Sequence, residues 1–193
     1  MASIIYLHGF HSSPLSEKAV QFNQFMKLHH PDIKVYTPQL HVHPQQAISE
    51  VETLVESIKQ TNDFKLIGIV GSSLGGFIST YIHNKYNVPA VVINPAVKPF
   101  ELLEDYVGKQ VQPITGEEYL LEPHHMDELK AIYQPTLHDS SKVWCLQQEG
   151  DEVLDYRQAA EHYQLAKMTL EPGGNHSFIG FKRYLPQIVD FFL

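Results

Sequence analysis

The sequence predicts an α/β fold in which a mostly parallel sheet is covered by helices on both faces. Short, continuously apolar runs alternate along the chain with amphipathic segments of helical period. Continuous apolar runs are typical of strands buried on both faces, as in parallel sheets. Their alternation with helices indicates βαβ units. Because the chain has 193 residues, 43% hydrophobic and 19% charged, we expect a single domain over residues 1–193.

The predicted elements follow one another without an internal repeat or a linker. Apolar runs predict strands at residues 3–7, 34–37, 65–70, 89–94, 142–147 and 166–170. Helical spacing of apolar residues predicts helices at 15–29, from Pro44 onward, from the turn after residue 70 to about Asn87, at 156–164 and at 178–192. This order places each predicted helix beside a predicted strand, as a doubly covered sheet requires.

One segment, at about residues 97–135, is longer than a crossover helix needs. We expect two helical pieces in this insertion, at 100–107 and at about 117–133, with a break allowed at Pro123 and a capping box over 115–118. Long insertions inside a domain are usually functional. The insertion is therefore expected to be a lid or cap over a site, or an extra pair of helices that supports the sheet edge.

Charge and composition argue against several function classes. The net charge of −8, with 14 Lys and Arg residues that form no run, disfavours nucleic acid and anionic membrane surfaces as partners. The single cysteine, Cys145, lies in an apolar run and is expected to be a buried thiol, which is compatible with a reducing cytoplasm. The sequence contains neither a basic signal region nor a run long enough for a membrane span. We expect a cytoplasmic protein, monomeric or a small homo-oligomer.

The first candidate for chemistry is the segment 71–75, Gly-Ser-Ser-Leu-Gly, which fits the G-x-S-x-G nucleophile elbow. In this motif a serine occupies a tight strand-to-helix turn, with its hydroxyl exposed above the sheet. The flanking glycines are needed because a Cβ there would clash with the neighbouring strand or helix. Only Ser73 has glycines at both −2 and +2, and it is therefore the predicted nucleophile.

A serine nucleophile needs a histidine base that is held by a carboxylate. In α/β folds of this kind the acid follows a late strand and the histidine follows the last strand. His176 alone among the histidines follows the last predicted strand in a glycine-rich loop. Asp151 comes after the turn-forming Gly150 and is the preferred acid, although Glu149, Glu152 and Asp155 compete with it.

An oxyanion hole needs N–H donors placed where negative charge develops on the substrate. One donor is expected to be the backbone N–H of Leu74, directly after Ser73 and at a helix N-terminus. The other is expected from the loop after the first strand, where Phe10 supplies the N–H and Gly9 allows close approach. His8 is expected to support this loop through a hydrogen bond.

Other chemistries find less support in the sequence. His41 and His43, or the pair His124 and His125, could suggest a metal, but no Cys, His and Asp set has the spacing of a zinc site. Neither the P-loop motif nor a G-x-G-x-x-G motif after a strand occurs. We therefore expect neither a metal nor another cofactor.

Five motifs occur in order, HGFHSSP, GSSLGGF, INPAVKP, GDEVLDY and GGNHSF, and together they resemble the α/β-hydrolase superfamily. More narrowly, nearly the whole chain is similar to the small bacterial YqiA-type esterases. The resemblance implies hydrolysis of acyl esters, or of acyl thioesters, with Ser73 as nucleophile, Asp151 as acid and His176 as base. The first strand begins at about residue 3, which leaves no room for the antiparallel strands that open larger members. A minimal form of the α/β-hydrolase fold is expected.

Three functional hypotheses follow from these motifs. The leading one is a serine esterase that acts on a small-molecule acyl ester. The second is an acyl thioesterase with the same triad, suggested by apolar residues of the insertion that could hold an acyl tail. The third is a catalytically silent binding protein, because a fold can persist without its activity. Labelling of Ser73 by a fluorophosphonate would reject the third hypothesis.

Overall fold

A six-stranded parallel sheet forms the centre of the molecule. The computed structural model describes residues 2–61 and 65–193. The strands, in chain order, are β1 (Ala2–Leu7), β2 (Ile33–Tyr36), β3 (Lys65–Ser72), β4 (Ala90–Ile93), β5 (Gly108–Val111), β6 (Glu118–Leu121), β7 (Val143–Gln148) and β8 (Lys167–Glu171). The sheet order is β2-β1-β3-β4-β7-β8, and β5 pairs with β6 outside this sheet. The predicted parallel sheet is confirmed.

Helices cover both faces of the sheet, as the apolar runs predicted. They are α1 (Glu17–His29), α2 (Pro44–Gln60), α3 (Leu74–Tyr86), α4 (Pro99–Leu102), α5 (Pro123–Ala131), α6 (Tyr156–His162) and α7 (Leu185–Phe192). Along β1, Ile5 and Leu7 join the core beneath α2, α3 and α5. Ile4 and Tyr6 join the opposite core, beneath α1 and α7. This alternation follows from the two-residue period of a strand.

The strand order places a topological switch between β1 and β3. From β1 the chain runs outward to β2 and then returns to β3 on the other side of β1. In open α/β sheets, the loops that leave two such strands diverge at their carboxyl ends and leave a crevice that binds ligands. Here those loops contain residues 8–12 after β1 and Ser73 after β3. The predicted oxyanion loop and the predicted nucleophile therefore meet at the crevice.

The insertion differs from its prediction. The helix expected at 100–107 is shorter: α4 ends at Leu102 and a 3₁₀ turn follows over Leu103–Tyr106. The helix expected at 117–133 is wrong in its first part, because 118–121 is strand β6 and only α5 is helical. Exposed and buried side chains alternate along β6, which is the period of a strand. Four residues were too few for that period to outweigh their helical propensity.

The capping box expected over 115–118 is also wrong. Residues 115–117 lie in the turn of the β5–β6 hairpin and Glu118 begins β6, and within the turn the N–H of Gly116 donates to the carbonyl of Gln112. A capping box occurs instead at the start of α5. There the side chain of Glu122 accepts the backbone N–H of His125, and Nδ1 of His125 accepts the backbone N–H of Glu122. The last predicted helix is likewise shorter, since a 3₁₀ turn over Phe181–Tyr184 precedes α7.

Two further expectations concern the single cysteine and membrane-spanning segments. Cys145 is fully buried in β7, and this burial raises the pKa of its thiol. The prediction of a buried cysteine is confirmed. No helix in the described part of the chain combines the length and the apolar character that a membrane span needs.

Candidate active site

Ser73 occupies a strained turn between β3 and α3. Its backbone angles are φ 54° and ψ −119°, a region that residues other than glycine rarely adopt. A Cβ on Gly71 would lie 2.2 Å from the carbonyl oxygen of Gly75, and one on Gly75 would lie 2.3 Å from that of Leu7. Both glycines of the motif are therefore required by close backbone approach. The N–H of Ser73 donates to the carbonyl of Ile93 at 3.1 Å, which fixes the turn to β4.

Ser73, His176 and Asp151 form one chain of hydrogen bonds. Nε2 of His176 lies 3.2 Å from Oγ of Ser73. Nδ1 of His176 lies 2.9 Å and 2.8 Å from the two carboxylate oxygens of Asp151. Because an ionised carboxylate only accepts, Nδ1 carries the proton and Nε2 is left to accept from the serine hydroxyl. This is the tautomer that a base for Ser73 needs.

Asp151 is held in the loop after β7. Its side chain has no exposed surface. The N–H groups of Val153 and Leu154 donate to its Oδ1 at 2.9 Å and 2.8 Å. Backbone donors of this kind stabilise the ionised form of a carboxylate. Asp151 is thus presented to His176 as a fixed acceptor.

The structure separates Asp151 from the acids that competed with it in the sequence. Glu152 accepts the backbone N–H of His176 at 2.9 Å, and this bond holds the pKa of Glu152 below its usual value. Asp155 accepts the N–H of Arg157 and caps α6. Glu149 pairs its backbone N–H with β8. Asp151 is the one whose carboxylate meets the imidazole of His176.

The loop after β1 lies against Ser73. A Cβ on Gly9 would come within 3.6 Å of Oγ of Ser73. Nδ1 of the buried His8 donates to the carbonyl of Gly9 at 2.8 Å, and its Nε2 accepts from the N–H of Leu40 at 3.1 Å. Burial lowers the pKa of His8, against a smaller opposing effect of the Gly9 bond. The neutral imidazole therefore fits both partners.

The two predicted oxyanion donors, the backbone N–H groups of Phe10 and Leu74, belong to residues that directly follow Gly9 and Ser73. The Gly9–Phe10 peptide is trans, since no cis bond occurs among the described residues. The N–H of Phe10 consequently points away from the carbonyl that His8 holds. Leu74 is the first residue of α3, so its N–H finds no acceptor inside the helix. Phe10 follows Gly9 in the loop that packs against Ser73, and Leu74 follows Ser73 in the chain.

Two cavities meet at the loop of Gly9 and Phe10. A cleft of about 230 Å³ contains Ser73, His176, Ser177 and Lys18 in its lining. A mostly apolar cavity of about 40 Å³ shares Gly9 and Phe10 with this cleft and is also lined by Leu40, Ile48, Leu74 and Ile78. The insertion adds Leu103, Tyr119, Leu121 and Leu129 to the lining of this second cavity. The insertion therefore reaches the site from the side of the apolar cavity.

Sequence reasoning missed the polar residues that hold the histidine loop. Asn94 is fully buried at the end of β4, and its Nδ2 donates to the carbonyls of Asn175 and His176 at 2.9 Å and 3.1 Å. Its Oδ1 accepts the N–H of Gln148 at 2.9 Å. The Oε1 of Gln148 accepts from the N–H of Asn175 at 3.1 Å. The INPAVKP segment was noted only as part of a resemblance, and nothing in its spacing identified Asn94 as a support.

A second missed feature is the contact between the β5–β6 hairpin and the loop after β1. His11 has a φ of 53° and stacks on Phe10 with 3.9 Å between ring centroids. Nε2 of His11 lies 2.7 Å from the hydroxyl of Tyr119, and Nε2 of Gln112 donates to the carbonyl of Ser12 at 2.8 Å. Burial, with a smaller effect of Glu117, raises the pKa of Tyr119 to about 12. Tyr119 therefore keeps its hydroxyl proton at neutral pH.

One group of side chains has the composition of a metal site. Glu122, His124 and His125 bring ligand atoms within 4.8 Å of one another. They lie at the N-terminus of α5, where the helix dipole disfavours a cation. Nδ1 of His125 is already an acceptor for the N–H of Glu122. This group is not among the residues that line the cleft of Ser73.

Comparison with known proteins identifies the family. The family described as Uncharacterised protein family (UPF0227) has a model that matches residues 3–193. The chain belongs to this family. The UPF0227 protein YcfP of Salmonella paratyphi A is 27% identical over 192 residues, which cover 97% of each chain. YcfP of Salmonella typhimurium has the same identity and coverage.

Solved structures place this UPF0227 chain in the α/β-hydrolase fold. Est1E from Butyrivibrio proteoclasticus, with ferulic acid bound, aligns with a TM-score of 0.73 at 12% identity, over 99% of this chain and 88% of Est1E. XC6422 from Xanthomonas campestris, described as an α/β serine hydrolase without a lid, aligns with a TM-score of 0.65 at 14% identity, over 100% and 82% of the two chains. At identities this low the alignments establish the fold alone. The predicted fold class is confirmed.

The contact of Tyr119 with His11 leads to a prediction about loop order. Tyr119→Phe removes only the hydroxyl, at a cost of about 1 kcal/mol for one hydrogen bond. We expect residues 9–12 to become more mobile, with backbone NMR order parameters falling from about 0.85 to below about 0.7. Tyr106→Phe is the control, because the Tyr106 ring packs edge-on against Phe10 while its hydroxyl makes no hydrogen bond among the described residues. Equal order parameters in both variants would contradict the prediction.

Proposed function

We propose that this protein is a serine esterase that hydrolyses acyl esters through a covalent acyl-enzyme. The observation that carries the proposal is the continuous chain from Oγ of Ser73 through His176 to the buried carboxylate of Asp151. A nucleophile, a base and an orienting acid in this geometry can carry out acyl transfer on unrelated folds. The strained turn at Ser73 supports the proposal, because such strain is concentrated at functional sites.

The reaction would proceed in two displacements. Oγ of Ser73 attacks the acyl carbon while Nε2 of His176 takes the hydroxyl proton, and Asp151 stabilises the resulting imidazolium. The tetrahedral intermediate collapses as His176 passes that proton to the leaving alcohol. A water molecule then attacks the acyl-enzyme, gives its proton to His176 and displaces Ser73, which recovers its hydroxyl. The acid product leaves, and the enzyme is restored.

The negative charge of each tetrahedral intermediate would be stabilised by the N–H groups of Phe10 and Leu74. The hydrogen bond from His8 to Gly9 supports this role, because it sets the plane of the peptide that carries the Phe10 N–H. The Leu74 N–H adds the positive end of the α3 dipole. Loss of one such donor costs about 10²-fold to 10³-fold in kcat in a well-studied serine protease.

The comparisons agree with hydrolase chemistry. Est1E carries ferulic acid in its solved structure, and XC6422 is described as a serine hydrolase. An esterase domain from Rhodothermus marinus aligns with a TM-score of 0.70 at 12% identity. These proteins share the fold with this chain, and its own Ser73, His176 and Asp151 supply the groups that the reaction needs.

We infer that the insertion at 97–135 caps the acyl side of the site. Its residues Leu103, Tyr119, Leu121 and Leu129 line the apolar cavity, which adjoins Gly9, Phe10 and Leu74. That cavity, at about 40 Å³, is far smaller than an engineered protein cavity of roughly 150 Å³ that binds benzene. A short acyl chain is therefore the class of substrate that it suits. Acyl thioesters remain a second substrate class, since the same triad would cleave them.

Replacement of the nucleophile tests the proposed reaction. We expect Ser73→Ala to lower kcat for a short acyl ester by at least about 10³-fold, because the acyl-enzyme cannot form. The parent protein should be labelled once per chain by a fluorophosphonate, and Ser73→Ala should not be labelled. Unfolding by urea serves as the control for folding. A Ser73→Ala variant that hydrolyses the ester as fast as the parent would refute the proposal.

Acyl chain length tests the small apolar cavity. We expect kcat/KM to be highest for acyl chains of about two to four carbons and to fall for octanoyl esters, because the cavity offers so little volume. Leu129→Ala should shift the optimum toward longer chains by opening that cavity. Matched thioesters measured in parallel separate the two substrate classes. A rate that rises steadily up to long chains in the parent would contradict the assignment of this cavity.

The support of the histidine loop by Asn94 gives a further test. We expect Asn94→Ala to reduce ester hydrolysis about tenfold or more, because His176 loses its fixed position relative to Ser73. Asn84→Ala is a matched control: this amide also bonds across elements, to Gln134, Thr136 and His138, but away from the cleft. Both variants should lose about 1–3 kcal/mol in urea unfolding. Equal kinetic losses in the two variants would show that Asn94 acts only through stability.

A further inference from the structure

Lys18 brings an ammonium group into the cleft of Ser73. It lies in the first turn of α1, and it lines the same cleft as Ser73 and His176. Its Nζ donates to the carbonyl of Ser177 at 2.9 Å. Because Ser177 directly follows His176 in the chain, this ammonium is next to the backbone of the proposed base.

Lys18 has no ion-pair partner within the described residues. The ion pairs found there do not include it. The two acids whose charges act on Lys18 have other partners: Glu17 accepts from Gln21 at 2.6 Å, and Asp151 accepts from His176. Burial lowers the pKa of Lys18, and the charges of Glu17 and Asp151 oppose this shift. A half-buried ammonium with one carbonyl acceptor keeps N–H donors available for another group.

The position of Lys18 indicates which part of a substrate it would meet. His176 delivers its proton to the leaving atom, so the leaving group lies on the side of His176. Lys18 contacts the residue after His176 and lines the cleft of Ser73, whereas the lining of the apolar cavity does not include Lys18 or His176. An acyl chain in the apolar cavity would therefore not meet the ammonium, while the leaving group would.

We propose that Lys18 binds an anionic group, a carboxylate or a phosphate, on the leaving alcohol or thiol of the substrate. This inference rests on the proposed function and narrows its substrates to acyl esters of anionic hydroxy or thiol compounds. The hydroxyl of Ser16 lines the same cleft and makes no capping bond to α1, so it is available as a second donor. With a net charge of −8, the protein would repel such a leaving group without a fixed cation in the cleft.

Paired substrates test the proposal against a structural role for Lys18. Phenyl acetate is the neutral ester, and 3-acetoxybenzoate, 4-acetoxybenzoate and 4-acetoxyphenyl phosphate carry the anion on the leaving group. We expect Lys18→Met to lower the ratio of kcat/KM for the best anionic ester to that for phenyl acetate about tenfold, through loss of a charge-assisted hydrogen bond. Lys18→Arg should retain most of the ratio. Raising the salt concentration to 0.5 M should lower the ratio in the parent and not in Lys18→Met.

Lys27→Met is the matched control, because it removes the same charge from the exposed side of α1. An unchanged ratio in Lys18→Met, with equal losses on every ester, would show that Lys18 only ties α1 to the 176–177 loop and would overturn the proposal. The acetoxybenzoates and the phosphate distinguish the two anions.

A calorimetric measurement separates this proposal from the proposed function. Ser73→Ala should bind 4-hydroxybenzoate or phenyl phosphate, and the double variant with Lys18→Met should bind about tenfold more weakly. If the parent hydrolyses none of the esters through Ser73, the esterase proposal fails while this binding still tests Lys18. Equal binding by the two variants would overturn the role of Lys18.

Discussion

The close approach of α3 to the ends of β1 and β3 is the constraint on which the rest of the site depends. It leaves no space for a Cβ at Gly71 or Gly75, and it holds Ser73 at a positive φ. A strained backbone of this kind persists only where its surroundings determine it. Here the bond from Ser73 to β4 and the packing of α3 on β1 provide those surroundings. The packing of the sheet and α3 therefore holds Ser73 in its strained backbone conformation.

A buried polar network extends that constraint to the histidine. Asn94 donates to the backbone carbonyls of residues 175 and 176, and Gln148 accepts the N–H of residue 175. Asp151 accepts two N–H groups of its own loop. Each of these polar groups would be costly to bury without a partner, so the arrangement of the loop is narrowly specified. The distance of 3.2 Å between His176 and Ser73 results from this network rather than from local sequence.

The site also has two chemically different sides. On one side, the insertion lines part of a small apolar cavity and contacts the loop after β1 through Tyr119 and Gln112. On the other side, α1 brings Lys18 into the cleft. The loops after the core strands thus hold the proposed reacting groups, while the insertion and α1 would face the two halves of the proposed substrate. This division explains how a minimal fold could select its substrates without altering its triad.

The sequence by itself determined the fold class and identified Ser73 and His176, with Asp151 as the preferred one of four candidate acids. Those features are encoded in short stretches, in apolar runs, in a glycine-flanked serine and in the order of loops after strands. Only the tertiary structure decided that 118–121 is a strand, that Asn94 and Tyr119 support the site, and that Lys18 enters the cleft. Such facts depend on contacts between residues far apart in the chain, and no local pattern records which distant partner a polar side chain will meet.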